Sequence, residues 1–341
     1  MALTRSDRPR QVAVLDASQA GEARRTAVDV ARQLGLDEVT TGRIALVATE
    51  LATNLARHAR GGEMLLRSLT AADGRSGVEL VAVDRAPGIA DVGRALEDGR
   101  STMNSAGTGL GAVRRLSTMF EIHSQQPLGT VVWCEVWPDG TPRAGSRFEV
   151  GAVCVPYPGE LDAGDVWALR PTPRGARLLV CDGLGHGPDA HHVATEAYRL
   201  FDATEGSSPE ETLWRIHEGL APTRGGAVAV AEIDLATRAL AWASVGNISG
   251  RVITADGERN LVAHNGTVGH SVRKVQEFRY PWPVDALLVV HTDGLASHWR
   301  LERYAGLALR HPGVIAATLY RDARRPRDDA AVVVLRDRRT A

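Results

Sequence analysis

Apolar residues recur at helical spacing in two stretches near the N terminus. This spacing predicts helices at residues 21–36 and 39–59. Two apolar or alternating segments follow, at residues 62–71 and 77–84, and the polar turn between them is typical of paired strands. A short helix, a glycine-rich loop that opens a helix running to Leu116, and a closing hairpin complete the first part of the chain.

The pattern changes after a segment rich in Pro, Gly and charged residues. This segment, 138–146, is the best linker candidate, and it predicts one domain over residues 1–137 and another over 147–341. Strands are predicted at residues 148–158, 165–173, 176–185, 226–235, 239–246, 250–256, 259–264, 285–295 and 329–337. Helices are predicted at residues 188–203, 208–220 and near 313–321. Because strands dominate, we expect an α/β (α+β) chain with stacked sheets flanked by helices.

Composition limits which partners and which cellular compartment we expect for the chain. The chain has 341 residues, 44% of them hydrophobic, which is enough for two buried cores. Its net charge of -1 implies neither a nucleic acid nor a membrane as partner. We expect a cytoplasmic protein, since no stretch has the apolar length of a signal or membrane segment. The three widely spaced cysteines, Cys134, Cys154 and Cys181, are expected to be buried free thiols.

Lysine is almost absent. Of 40 basic residues, Lys274 is the only lysine, and its surroundings fit neither a Walker loop nor the strand lysine of eukaryotic-type kinases. If the chain binds ATP, it must hold the phosphates with backbone N–H groups, a metal ion and arginine.

The first candidate site combines a helix and a strand end. Glu50 and Asn54 are four residues apart and share one face of a helix, where they could serve as a base and a Mg²⁺ ligand. Asp84 ends an apolar strand before a turn with Gly88, so it could accept a hydrogen bond from the exocyclic amine of adenine. Each feature also has a purely structural interpretation, as solvated helix residues or as a surface turn.

The glycine-rich loop "SAGTGLGAVRRL" supplies the third part. Gly107, Gly109 and Gly111 lack Cβ atoms, so the backbone can curl around phosphate oxygens before a helix N-terminus. The spacing to Ala112 imitates a dinucleotide fingerprint, but no strand precedes the loop as that fingerprint requires.

Aspartates mark a second candidate site beyond the linker. Most lie where apolar strands begin or end, so their carboxylates could converge; they are Asp165, Asp182, Asp293, Asp328 and Asp329. Carboxylates together with a backbone carbonyl suit Mg²⁺ or Mn²⁺, and two such ions can drive hydrolysis of a phosphate ester. A single Asp-Gly pair is usually a turn, but the whole set predicts a metal centre.

Residues 10–137 resemble the GHKL (Bergerat-fold) ATPases. "TELATNLARHA" is similar to their N box, "DRAPGI" and "GTGLGA" to their glycine boxes, and Gly129-Thr130 to their terminal "GT". The likeness is strongest to RsbT-type serine/threonine switch kinases of stressosome pathways, although Ala86 replaces the usual glycine. Histidine kinases and gyrase-type ATPases share these boxes. The chain has too few residues before Glu50 for a phosphoacceptor helix pair, and it lacks the transducer lysine.

This resemblance implies an α/β sandwich that holds ATP under a mobile lid, and it implies residue roles. Glu50 would be the general base, Asn54 would bind Mg²⁺ and Asp84 would bind adenine. The remaining implied nucleotide contacts are Gly88, Gly107, Thr108, Gly109, Leu110, Gly111 and Thr130.

Residues 147–337 resemble the metal-dependent protein phosphatases, in the branch of RsbX and SpoIIE. The resemblance implies an α-β-β-α sandwich with two Mn²⁺ or Mg²⁺ ions, which Asp182 would bridge. The rest of the implied ligand set is Asp165, the Gly183 carbonyl, Asp293 and Asp329. The chain departs from the family with "AGD" for "GGD" and "DDAA" where a Thr is common. His186 is a candidate phosphate-facing group, whereas His191 and His192 are expected on a helix surface.

Together the two resemblances suggest a bifunctional partner-switching regulator, with a kinase and a phosphatase acting on Ser/Thr of STAS-domain antagonist proteins. A downstream phosphatase, cyclase or sigma-factor regulator is a second class of expected partner. The alternative is a nucleotide-dependent module that sequesters a partner without catalysis and carries an attached phosphatase.

Overall fold

The chain forms two compact units that interleave along the sequence. The computed structural model describes residues 4–5, 10–71, 73–97, 109–140 and 147–337. The N-terminal unit comprises Asp7–Gly145 and Arg300–Arg321. The C-terminal unit comprises Met1–Ser6, Ser146–Trp299 and Asp322–Ala341. The predicted linker 138–146 lies mostly outside the described residues.

The first half of the chain contains β1 (Thr4–Arg5), β2 (Arg10–Val14), α1 (Ser18–Gln33), α2 (Glu38–His58), β3 (Gly62–Thr70), β4 (Ser76–Val83), α3 (Val92–Ala95), α4 (Gly109–Leu116), β5 (Met119–Gln125) and β6 (Gly129–Val136). The second half contains β7 (Phe148–Val155), β8 (Asp165–Thr172), β9 (Gly175–Gly183), α5 (Pro188–Asp202), α6 (Pro209–Gly219), β10 (Gly226–Asp234), β11 (Ala239–Val245), β12 (Ser249–Thr254), β13 (Gly257–Asn260), β14 (Gly266–Thr267), β15 (Ser271–Val272), β16 (Phe278–Pro281), β17 (Leu287–His291), α7 (Pro312–Ala323) and β18 (Ala330–Asp337). Short 3-10 helices lie at Pro138–Gly140, Leu301–Arg303 and Leu307–Leu309.

The N-terminal unit is an antiparallel five-stranded sheet in the order β2-β3-β4-β6-β5, with α1, α2 and α4 packed together on one face. α2 begins at an N-cap, where Asp37 accepts a hydrogen bond of 2.8 Å from the backbone N–H of Thr40. Alternate strand residues such as Met64, Leu80 and Cys134 join the buried faces of the helices in one core. The sandwich therefore follows directly from the two periodicities of the sequence.

The second face of this sheet is buried as well. Glu79 accepts hydrogen bonds from Arg67 Nε (3.0 Å), Arg67 Nη2 (2.9 Å) and Trp133 Nε1 (2.8 Å). The ring of His311 stacks on Trp133, with 3.9 Å between the ring centroids. His311 belongs to residues Arg300–Arg321, the returning segment, so this face is covered by residues from far along the chain.

The C-terminal unit contains two sheets that pack face to face. One has the order β1-β8-β9-β10-β11-β16 and the other β13-β12-β17-β18-β7. Their shared core includes Trp167, Trp242 and Trp282, which are all fully buried. α5 and α6 cover the outer face of the six-stranded sheet through a second apolar cluster. The antiparallel register places Asp165 of β8 directly opposite Asp182 of β9.

Both the mixed α/β class and the buried thiols are confirmed. Cys134, Cys154 and Cys181 are free and buried, and burial raises the pKa of the Cys134 thiol to about 12. The strand predicted at 259–264 is shorter: β13 ends at Asn260, and a last bond to β12 follows, from Leu261 N–H to Gly250 O. No helix in the described parts of the chain has the length and apolarity needed to cross a membrane.

Replacing Glu79 with alanine should destabilise the N-terminal unit by about 3 kcal/mol, because the charge of Arg67 would remain buried without its partner. Urea unfolding followed by tryptophan fluorescence measures the change. The control Glu22→Ala, on the exposed side of α1, should shift the free energy of unfolding by about 0.5 kcal/mol or less. A Glu79→Ala effect as small as the control would contradict the structural role of this pair.

Candidate nucleotide and metal sites

Helix α2 places Glu50 and Asn54 on one partly buried face, as their spacing predicts. Within the described residues, the amide Nδ2 of Asn54 is buried and has no hydrogen-bond partner. A buried amide without a partner is costly unless a ligand or an ordered water satisfies it. The donor set at this face therefore fits a bound polar ligand.

Asp84 follows β4 and is held by its neighbours' backbone. Its Oδ1 accepts hydrogen bonds from the N–H groups of Ala86 (2.9 Å) and Thr130 (3.2 Å), and its own N–H donates to Thr130 O (3.0 Å). Burial raises the pKa of Asp84, and these two backbone donors oppose that rise. The carboxylate is thus fixed in orientation at the end of a buried strand.

Two glycines allow the backbone to close around Asp84. A Cβ on Gly129 (φ 104) would lie 2.2 Å from Asp84 O, and a Cβ on Gly88 (φ 84) would lie 2.9 Å from Gln125 O. Gly129 therefore permits β6 to approach the Asp84 turn. We expected Gly88 to lie against a bound base. In the structure, a glycine is needed at this position because a Cβ would clash with the end of β5.

The hydroxyl of Ser124 ties the same turn to the sheet, which the sequence did not indicate. It accepts a hydrogen bond of 2.7 Å from Ile89 N–H and lies 2.9 Å from the hydroxyl of the buried Thr130. The turn after Asp84 is thereby anchored to both β5 and β6.

The glycine-rich loop is described in part. Gly107 and Thr108 lie outside the described residues, whereas Gly109, Leu110 and Gly111 open α4. The other end of α4 is held by Arg43 of α2, whose Nε (3.1 Å) and Nη2 (2.8 Å) both donate to Leu116 O. This charged contact fixes α4 against α2, and nothing in the sequence distinguished Arg43 from other surface arginines.

The aspartates of the C-terminal unit meet at strand ends. Asp165 begins β8 beside Asp182 of β9, while Asp293 follows β17 and Asp329 precedes the adjacent strand β18. Three hydrogen bonds anchor one oxygen each: Thr292 Oγ1 to Asp165 Oδ2 (2.7 Å), Asn247 Nδ2 to Asp293 Oδ2 (2.8 Å) and Tyr157 N to Asp329 Oδ1 (2.9 Å). Asp329 Oδ2 is buried and has no hydrogen-bond partner among the described residues, as expected of an oxygen that ligates a cation.

Electrostatics support a cation here. Burial, followed by repulsion from Asp293, Asp328 and Asp329, raises the pKa of Asp182 to about 8. Burial and the neighbouring Asp182 likewise hold the pKa of Asp165 well above its ordinary value. Divalent cations relieve such repulsion, so these residues fit Mg²⁺ or Mn²⁺. In the described chain, no three acidic, His or Cys groups already surround one point at coordinating distance, so binding requires side-chain adjustment.

The stretch "AGD", where the family has "GGD", places its alanine at a position that tolerates a side chain. A Cβ on Gly164 would lie 2.7 Å from Ala190 Cβ and 3.1 Å from Asp329 Oδ2, whereas Ala163 is partly buried against the core. A Cβ on Gly183 would lie 2.4 Å from Ala190 O. The glycines that the site requires, Gly164 and Gly183, are therefore both present.

The three histidines near this cluster differ in the contacts that their side chains make. His186 stacks on Tyr157 at 4.2 Å between ring centroids, and its Nδ1 lies 3.2 Å from Glu160 Oε1. Burial raises the pKa of Asp329, and the hydrogen bond from Tyr157 N–H and the nearby His186 oppose that rise. His191, expected on the helix surface, instead places Nδ1 3.0 Å from Ala163 O, so it braces the loop before Asp165. His192 is exposed on α5.

Sequence reasoning missed several side chains of these sites, among them Thr292, Ser124 and Arg43. Thr292 is adjacent to the Asp-Gly pair at 293, and that adjacency is the one signal that could have identified it. Asn247, in the stretch "SVGNIS" between β11 and β12, resembles a loop of the phosphatase branch but had no assigned role, and the fold brings it to Asp293.

A Gly129→Ala substitution should weaken ATP binding about tenfold or more, because the new Cβ would displace the backbone of Asp84. Titration with a fluorescent ATP analogue measures this. Gly42→Ala is the control, since its Cβ would meet no atom within 4 Å and α2 tolerates alanine. Equal affinities for both variants would show that the close approach at Gly129 does not position the nucleotide site.

In the presence of EDTA, Asp182→Asn should raise the melting temperature of the C-terminal unit by about 2–4 °C per kcal/mol of repulsion removed. Added Mg²⁺ or Mn²⁺ should stabilise the unaltered chain and leave this variant nearly unchanged. Calorimetry with and without metal tests both statements. Metal stabilisation that survives in Asp182→Asn would exclude this cluster as the metal site.

Two family models match separate parts of the chain. Residues 13–135 match the model of the histidine kinase-like ATPase domain, and residues 172–338 match that of stage II sporulation protein E (SpoIIE). The chain is 35% identical over 115 residues to the serine/threonine-protein kinase RsbT of Bacillus subtilis (strain 168), which is 34% of this chain and 86% of RsbT.

Solved structures show related folds. One, from work on the bacterial stressosome as a modular system adapted to control secondary messenger signalling, is 26% identical, with a TM-score of 0.53, over 56% of this chain and 100% of that one. RsbX in complex with magnesium has a TM-score of 0.51 at 15% identity, over 64% of this chain and 100% of its own, which shows the fold alone. The chain thus belongs to the RsbT-like serine/threonine protein kinases of the histidine kinase-like ATPase family, and its residues 172–338 match the SpoIIE model.

Proposed function

We propose that the chain is a bifunctional switch that phosphorylates and dephosphorylates Ser/Thr of STAS-domain antagonist proteins. The observation that carries this proposal is the presence of two separate, complete residue sets in one chain. One suits nucleotide binding around Glu50, Asn54 and Asp84, and the other suits divalent metals around Asp182. We further propose residues 1–137 and 147–341 as the two functional domains, with the returning segment packed in the first unit.

In the kinase domain, the residues' positions suggest a division of roles. Glu50 would take the proton from the target hydroxyl, while the Asn54 amide oxygen would hold Mg²⁺ on the ATP phosphates. Asp84 would accept a hydrogen bond from the adenine amine, with Gly88 in the same turn and Thr130 beside it on β6. The N–H groups at Gly107, Thr108, Gly109, Leu110 and Gly111 would hold the phosphates. The only lysine, Lys274, lies in the other unit.

In the phosphatase domain, Asp182 would bridge two Mg²⁺ or Mn²⁺ ions. Asp165, Asp293, Asp329 and the Gly183 carbonyl would complete the ligand set. Bound metal supplies an activated water and charge stabilisation for phosphate-ester hydrolysis. Thr292 and Asn247 would orient two of the carboxylates through the hydrogen bonds described above. His186, beside Asp329, would face the phosphoryl group.

The partners follow from the same pairing of activities. A kinase and a phosphatase in one chain can set the phosphorylation level of a shared target, and the likeness to a stressosome structure supports a partner-switching role. Release or capture of the STAS-domain protein would then control a downstream phosphatase, cyclase or sigma-factor regulator.

The retained carboxylate Glu50 beside Asn54 favours catalysis over a module that only sequesters a partner. The two hypotheses differ in what each residue must do. If signalling survived in Glu50→Ala and was lost in Asn54→Ala, nucleotide-dependent binding without catalysis would be the function.

The test is incubation of the full chain with labelled ATP, Mg²⁺ or Mn²⁺, and a purified STAS-domain protein. Asp182→Ala should accumulate at least about tenfold more phosphoprotein than the unaltered chain, because removal stops while transfer continues. Glu50→Ala should abolish labelling, because the target hydroxyl loses its base.

Two exposed acids serve as matched controls. Glu38→Ala on the first turn of α2 and Asp256→Ala in the turn after β12 should leave labelling unchanged. If Asp182→Ala labels no more than Asp256→Ala does, the phosphatase assignment fails. Loss of label in Glu38→Ala as complete as in Glu50→Ala would remove the argument for a specific base.

A further inference from the structure

The returning segment (Arg300–Arg321) lies within the sequence matched by the SpoIIE model, yet it packs with the N-terminal sheet. The sheet face beneath the returning segment is apolar and would be unstable in contact with water. Leu65, Val81 and Trp133 are cross-strand neighbours on the face opposite α1 and α2, and all are buried. Apolar side chains in such a row require a packing partner to exclude water.

Polar contacts fix the register of the segment along β5. The side chain of Gln125 accepts from Ala305 N–H and donates to Arg303 O, both at 3.0 Å. Farther along, Glu121 accepts a hydrogen bond of 2.8 Å from His311 N–H. These contacts join main-chain atoms to specific side chains, so the position of the segment is defined to within one residue.

Helix α7 then runs across the same sheet. A Cβ on Gly313 would lie 2.3 Å from Trp133 Nε1, so α7 begins in direct contact with that ring. Near its end, the Tyr320 hydroxyl donates to Glu63 Oε2 at 2.8 Å. The helix is held at both ends, which fixes where its last turn lies.

The last turn of α7 contacts the turn after β4 that contains Asp84. Arg321 is only 3% exposed, and its Nη1 donates to Asp84 O at 3.4 Å. In return, the side chain of Arg85 donates to Arg321 O. The guanidinium thus contacts the main chain of the residue proposed to bind adenine, whose carboxylate is held separately by two backbone N–H groups.

We infer that Arg321 is a positioning residue of the nucleotide site, holding Asp84 in place and ionised for adenine. This inference rests on the proposed function, since it assumes that Asp84 binds the base. The charge of Arg321 favours the carboxylate of Asp84 against the effect of burial. An ionised, oriented acceptor selects the amine of adenine over the carbonyl that guanine presents there, so Arg321 affects base selectivity as well as affinity. The kinase site thereby depends on a residue encoded between the phosphatase aspartates Asp293 and Asp329.

The experiment measures the affinity of the full chain for MgATP and MgGTP by calorimetry, with kcat and KM for phosphoryl transfer. Arg321→Gln should weaken ATP binding about tenfold and bring the two nucleotides closer in affinity. The kcat at saturating ATP should stay within about twofold, since Arg321 does not touch the reacting atoms. Arg321→Lys, which keeps the charge, should recover part of the affinity.

Arg310→Gln is the matched control, because Arg310 is an exposed arginine of the same segment. Metal-dependent hydrolysis of p-nitrophenyl phosphate is measured in every variant and should not change. The inference is overturned if Arg321→Gln binds ATP like Arg310→Gln. It is also overturned if ATP affinity, GTP affinity and phosphatase activity all fall together, which would indicate general loosening.

Should Arg321→Gln fail to fold, Arg321→Lys decides by its ATP-to-GTP affinity ratio, which must be lower than in the unaltered chain. An unchanged ratio in that variant rejects the inference. Failure of the unaltered chain to bind ATP at all would instead reject the proposed kinase function, so the two failures are distinguishable.

Discussion

Close approach of two backbones at a glycine supports each of the candidate sites. The carbonyl oxygens of Asp84, Asp182 and Asp329 lie only 2.2, 2.2 and 1.8 Å from where a Cβ would stand on Gly129, Gly226 and Gly294, respectively. In each case a neighbouring strand or turn passes directly over an acidic residue at a strand end. The position of that acid is then fixed by the sheet rather than by a flexible loop.

Rigid placement makes it feasible to crowd like charges, as the C-terminal unit does. Asp165 and Asp182 face each other on adjacent strands, and burial together with mutual repulsion raises the pKa of both. Two packed sheets and the anchoring hydrogen bonds from Thr292 and Asn247 hold this unfavourable arrangement together. Divalent cations at this cluster would relieve the cost to stability.

In the N-terminal unit the helices pack on one face of the sheet, so the other face needs a separate segment to cover it. The returning segment closes that face through the Trp133–His311 stack and the clamps at Gln125 and Glu121. A chain that leaves one unit after Trp299 and re-enters it at Asp322 links the folding of both units. The first half of the sequence, taken as a contiguous stretch, therefore lacks residues that its unit buries, such as Leu307 and Tyr320.

The sequence by itself determined the elements and the chemistry of the sites. Apolar periodicity predicted α1, α2 and most strands within a few residues, because burial on one face imposes that spacing locally. Motif order placed Glu50, Asn54, Asp84 and the aspartates on helix faces and strand ends, where side-chain direction follows from local geometry. Only the tertiary structure decided which distant groups support them. Asn247 contacts Asp293 and Arg321 contacts Asp84 across 46 and 237 residues of chain, respectively. Such contacts arise from sheet pairing and from the packing of the returning segment, which no local pattern encodes.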